Sequence, residues 1–234
     1  RAGGVAGSKI VVADFHNGLA TERGGVIWNG VDTSVVEGAK IAWKIDGIVD
    51  NGTNLAISWS ATYDADGAGP GAAVAVNPCN ATPAVGAPAF HAIPSLPAVP
   101  PATSPTNRNN LSMLRSYAQG GDFILGTANA PGQANAVNVT TTNTTCANNV
   151  ATTTIPVDDV DATVGRVALQ GKPWVVAVDP ADADGVMQVR AKTPTFDWNL
   201  GTSNAATARR AIADSSQCLK CHVGSLYQHG GNRV

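Results

Sequence analysis

Apolar and polar positions alternate at period two along much of the chain, and the clearest instance is a pair of runs around Asp50-Asn51-Gly52-Thr53. Ile41, Trp43 and Ile45 lie before it, and Leu55, Ile57, Trp59, Ala61 and Tyr63 after it. An Asn-Gly pair between two such runs predicts an antiparallel hairpin, because both residues tolerate the positive φ of a tight turn. Weaker strand patterns fall at Ile10 to Ala13, Val26 to Trp28, Asp122 to Leu125, Ala136 to Val139, Val164 to Leu169, Trp174 to Val178 and Gly185 to Ala191. Many short strands bounded by Gly, Asn, Asp and Pro predict a mainly β fold, an antiparallel β-sandwich or barrel. Met113 and Met187 are expected in its core.

Two segments break the pattern. Between Pro78 and Pro105 stand 8 of the 14 prolines, which fix φ and remove amide donors, so this stretch reads as a long surface loop over 78–105 rather than a central strand. Cys79 stands at its root and Cys146 in a Thr/Asn-rich run, and neither has the neighbours of a core thiol; a disulfide between them is the expectation. Closing a loop of about 68 residues stabilises a fold by roughly 4 kcal/mol in the chain-entropy account. The second break follows Trp198, where Ser203 and Asn204 are suited to cap a helix continuing through Ala205 to Ala213. The predicted organisation is a β-domain over 1–200 and a helical segment over 201–234.

Composition narrows the function classes. Only 14% of residues are charged and the net charge is -2, so the surface is covered largely by neutral polar groups and lacks the basic stripe of a nucleic-acid binder. No run of eighteen apolar residues exists to form a membrane-spanning helix. The chain begins at Arg1, and a processed or excised chain is expected. No G-x-S-x-G, H-E-x-x-H or strand-linked G-x-G-x-x-G motif is present. Two Asp-Ala-Asp-Gly segments, Asp64 to Gly67 and Asp182 to Gly185, and the run Asp158-Asp159-Val160-Asp161 raise calcium as a candidate ion, although Asp and Gly are equally the residues of turns and no bidentate Glu follows.

The strongest chemical signal is Cys218-Leu219-Lys220-Cys221-His222, the C-x-x-C-H spacing of a c-type haem attachment site. Two thiols about one helical turn apart suit thioether bonds to the vinyl groups on one porphyrin edge, and the adjacent His222 is then placed as the proximal iron ligand. A thioredoxin-like pair would follow a strand in a βαβ pattern, and a zinc site would need a second ligand pair; neither is found. For the sixth ligand, His229 lies seven residues on, roughly 10 Å along a continuous helix, while trans nitrogens on one iron sit only about 4 Å apart. His229 is therefore a candidate distal ligand of a neighbouring haem. His16 and His91 are candidate sixth ligands or plain loop histidines. Arg209, Arg210 and Lys220 are suited to pair with haem propionates or to form a solvated helix face.

The stretch from Arg209-Arg210 through Cys218-Leu219-Lys220-Cys221-His222 to Leu226-Tyr227-Gln228-His229-Gly230-Gly231-Asn232-Arg233 resembles the OmcA/MtrC family of outer-membrane decahaem c-type cytochromes. In that family an Arg-Arg helix leads into a haem motif followed by L-x-x-H-G-G-x-R. Gly165-Arg166-Val167-Ala168-Leu169-Gln170-Gly171-Lys172-Pro173 resembles the last part of the family's β-domain. The resemblance implies split-barrel or Greek-key domains alternating with haem domains, bis-histidine haems, and electron export at the cell surface, outside the cytoplasm. Partners implied are other cytochrome subunits, an outer-membrane porin-cytochrome complex, and extracellular acceptors such as metal oxides. Because this chain carries one haem motif where the family carries many, it is expected to be a segment of a longer cytochrome.

The expected function is electron transfer, not catalysis of bond exchange, and terminal metal reduction is left open as an alternative activity. The alternative is a structural β-module that docks a mineral, partner or subunit with the haem incidental; a peroxidase would need polar distal groups that the sequence does not identify.

Overall fold

The computed structural model describes residues 27–28, 31–65, 73–79, 111–118, 123–127, 130–131, 134–158, 160–176, 186–189 and 191–207. The expected strand at Ile10 to Ala13 and most of the 78–105 loop lie outside them. The chain runs through a short pair, β1 (Ile27–Trp28) and β2 (Val31–Asp32), and one helix, α1 (Thr33–Ala39), into β3 (Ile41–Asp50), β4 (Asn54–Tyr63) and β5 (Val74–Val76). After the loop come β6 (Ser112–Ala118), β7 (Phe123–Thr127), β8 (Ala130–Pro131), β9 (Asn135–Asn138), β10 (Thr144–Ala147) and β11 (Val150–Pro156). The last are β12 (Val164–Gln170), β13 (Trp174–Val176), β14 (Val186–Gln188) and β15 (Thr195–Asn199).

All pairings are antiparallel, and they build two main sheets. One has the order β10-β11-β4-β3, with β5 continuing the edge of β4 beyond β11; the other has the order β15-β12-β6-β7-β8, with β9 beside the first half of β6. Neither sheet closes on itself. The buried faces of the two sheets share one core, in which Ile57, Trp59 and Ile155 meet Met113, Tyr117, Val167, Leu169 and Trp198. The fold is a β-sandwich, as the alternation predicts, and Met113 is fully buried in it.

The β3–β4 hairpin forms where the sequence places it, with Gly52 at φ 81° in the turn. Its alternation carries an irregularity that the sequence pattern did not expose. Ile45 pairs with Trp59 and Gly47 with Ser58, so Asp46 is one residue more than its partner strand supplies. Such a bulge shifts the pleat by one. Ile41, Trp43 and Ile45 face inward before it, and Ile48 and Asp50 after it. The acidic end of β3 is thereby turned into the sandwich.

A second close fit ties β12 to β15. Gly165 is the register partner of Trp198, and a Cβ built on Gly165 would lie 2.1 Å from the Trp198 ring. The glycine is required because the buried indole occupies the place of its side chain. Gly165→Ala is expected to cost about 1–3 kcal/mol through overpacking, read from the denaturant midpoint; an unchanged midpoint would mean that the ring has room to move.

The expected helix beginning at Ser203–Asn204 is not formed at its start. Asn204 to Ala206 instead turn back along β15: Asn199 N donates to Asn204 O at 3.0 Å, Ala206 N to Asp197 O at 2.9 Å, and Trp198 bridges Ala205. The alanines have good helix propensity, but the unpaired edge of β15 offers their backbone groups partners of its own, and tertiary pairing overrides a weak local preference. Residues from 208 onward lie outside the described set.

Candidate functional site

At one end of the sandwich the β3–β4 turn, the β11–β12 connection and the turn after β15 converge. They enclose a cleft of about 340 Å³ lined by Asp50, Gly52, Val157, Asp158, Val160, Leu200 and Gly201. Two carboxylates stand in it, and each is committed to a tie between the sheets. Asp50 Oδ2 accepts from Trp198 Nε1 at 3.0 Å and from Gly201 N at 2.9 Å, while its Oδ1 accepts from Gly52 N at 2.9 Å. Asp158 Oδ2 accepts from Tyr117 Oη at 3.0 Å, and its Oδ1 lies 3.1 Å from the Arg115 guanidinium.

Arg115 is an unusual residue for the middle of a strand, with its side chain only 2% exposed. Its guanidinium also donates to the Pro156 carbonyl at the end of β11. A buried cation is tolerated only when charge and hydrogen-bond partners meet it, and Asp158 together with that carbonyl supplies them. Trp198 and Tyr117 pack edge to face with ring centroids 6.0 Å apart, so the two ties share one aromatic pair. Beside them, Arg166 on β12 grips Asp197 on β15 with two hydrogen bonds of 2.6 and 2.8 Å. That grip holds the Arg166 pKa above its ordinary value. The grip fastens β12 to β15 side by side.

Burial pushes the Tyr117 phenol well above its ordinary value, and the Asp158 charge adds to this while Arg115 opposes it. A raised folded-state value means that the folded chain holds this proton where the unfolded chain releases it, near pH 10. Stability from this source is full below about pH 10 and falls as the pH rises further. Unfolding free energy measured across that range is expected to drop, and Tyr117→Phe to lessen the drop; an identical slope in the variant would contradict the assignment.

Of the residues singled out by sequence, Cys79 and Cys146 are joined in a disulfide, with Cα atoms 6.1 Å apart. It ties the root of the proline-rich loop to β10 at the edge of the first sheet. Cys218, Cys221, His222, His229, His16 and His91 all lie outside the described residues. Met187 falls on β14. Of the segments that raised calcium, Asp158 is engaged by Arg115 and Tyr117, and among the described residues no three His, Cys, Asp or Glu side chains gather to hold a metal ion. Among those residues no helix is long and apolar enough to cross a membrane. Sequence reasoning missed Asp50, Arg115 and Asp158 as an ensemble, because they join positions 40 to 150 residues apart; a lone Arg beside Met113, Leu114 and Tyr117 was the available signal.

No protein-family model matches the chain, and no curated protein does. Among solved structures it is similar to MtrC from Shewanella baltica OS185, with a TM-score of 0.47 and 13% identity, over 81% of this chain and 28% of that one. The chain thus spans less than a third of the length of that structure.

Proposed function

We propose that the chain is an electron-transfer segment of a c-type cytochrome, in which the β-sandwich carries and orients a covalently bound haem on its C-terminal segment. The observation that carries this reading is the Cys218-Leu219-Lys220-Cys221-His222 motif, whose donor set of two thiols and an adjacent imidazole fits haem c. Bound there, haem c supplies a one-electron ferrous/ferric couple. Cys218 and Cys221 would hold the group by thioethers, and His222 would ligate the iron. His16 is a candidate distal ligand, and His229 serves a neighbouring haem.

The described domain supports the reading in two ways. Asn204 to Ala206 are stitched to β15, so the segment leading to the motif leaves from a fixed edge, which suits a carrier whose rate depends on spacing. The Cys79–Cys146 disulfide fits an oxidising compartment, the same setting in which haem c is attached. Location at the cell surface, partnership with other cytochrome subunits and a porin-cytochrome complex, and delivery to metal oxides follow from the family resemblance and are part of the proposal.

If a second side chain such as His16 joins His222 on the iron, the carrier would exchange electrons with small soluble donors and acceptors and show little spectral change on adding cyanide. Stopped-flow reduction of the haem-loaded protein by dithionite is expected to be rapid and fully reversible by a mild oxidant. Fast cyanide or peroxide binding would instead mark an open iron and contradict the carrier reading. Cys218→Ala with Cys221→Ala is expected to abolish the haem spectrum in denatured protein and leave the β-domain folded.

A further inference from the structure

The hairpin tip engages both the Asn51 side chain and the backbone amide that follows it. Asn51 Oδ1 accepts hydrogen bonds from Thr53 N at 3.0 Å and Asn54 N at 2.7 Å. Gly52 N, the next amide in the chain, donates to Asp50 Oδ1 at 2.9 Å. Asn51 and Gly52 are exposed, so water has access. We propose that Asn51 is a self-modification site, at which the folded hairpin promotes deamidation of its own side chain.

The chemistry needs a nucleophilic nitrogen, a base and donors at the developing oxyanion, and the turn holds one nitrogen, one base and two donors. Asp50 Oδ1 lies within the reach of a general base for the in-plane Gly52 N–H. That leaves the π face of the Gly52 nitrogen to attack Asn51 Cγ, with no Cβ on Gly52 to block the approach. The two backbone donors on Asn51 Oδ1 stand at the distances that stabilise an oxyanion. The N–Cγ bond forms, the proton passes by way of Asp50 to Nδ2, and the Cγ–Nδ2 bond breaks to release ammonia. Water then opens the cyclic imide at either carbonyl, leaving aspartate or isoaspartate at position 51. In net terms one amide and one water become one carboxylate and one ammonium ion, the released ammonia taking up the acid proton.

The product matters to the fold because the same Asp50 reaches Trp198 and Gly201 through its other oxygen. An isoaspartyl linkage adds a backbone carbon to the tip and puts a second carboxylate beside Asp50. The tie between the sheets is then weakened from its exposed end. None of this depends on the haem reading.

The test incubates the full chain in native buffer and, in parallel, in guanidinium chloride at the same pH and temperature, with peptide mapping of ammonia loss at Asn51. The pairs Asn17-Gly18 and Asn29-Gly30 give reference rates in the same samples. Asn51 is expected to react at least about tenfold faster in the native chain, the factor that ~1.4 kcal/mol off a barrier gives. Asp50→Asn, with folding checked by circular dichroism, is expected to remove most of that acceleration. A native rate equal to or below the denatured rate overturns the proposal, and this comparison decides the matter even where the variant does not fold. Native acceleration that survives intact in folded Asp50→Asn overturns it as well.

Discussion

The structure depends on Asp50 being turned inward. An acidic residue at the end of an edge strand would ordinarily point into water, but the additional residue at Asp46 shifts the pleat and delivers the carboxylate to the Trp198 indole and the Gly201 amide on the opposite sheet. A buried carboxylate without partners is costly, and here three N–H donors meet it. Trp198 in turn fits only because Gly165 lacks a side chain, and it abuts Tyr117, whose hydroxyl leads to Asp158 and Arg115. One bulge therefore sets the geometry at which both sheets meet at this end of the sandwich.

The same end governs how the chain leaves the domain. After β15 the backbone turns at Leu200 and Gly201, the latter with φ of 69° and its amide held by Asp50, and then returns along β15 as far as Ala206. The last described residues are thus hydrogen-bonded to this edge. The Cys79–Cys146 bridge fastens the chain just after β5 to β10 at another edge.

Much of the fold was legible in the sequence where period-two alternation was regular. β3, β4, β12 and the short strands near Phe123, Asn135, Trp174 and Val186 fall where the pattern places them, and so does the disulfide. β6 was not legible, because Ser112 to Ala118 is buried on both faces and holds Arg115, so no alternation survives. β11 escaped because Ala and Thr give weak contrast. The helix expected from Ala205 onward fails at its start for a reason that no local pattern contains, the free edge of β15. At the cleft, Asp50 and Asp158 looked like turn residues; their roles come from partners distant in sequence.

On the proposed reading, Cys218 and Cys221 hold one covalent haem. The most direct measurement is the denatured, unreduced intact mass of the chain made in a host that matures c-type cytochromes. The account predicts the mass of the polypeptide, 23.7 kDa, plus one haem. The bare polypeptide mass would contradict it.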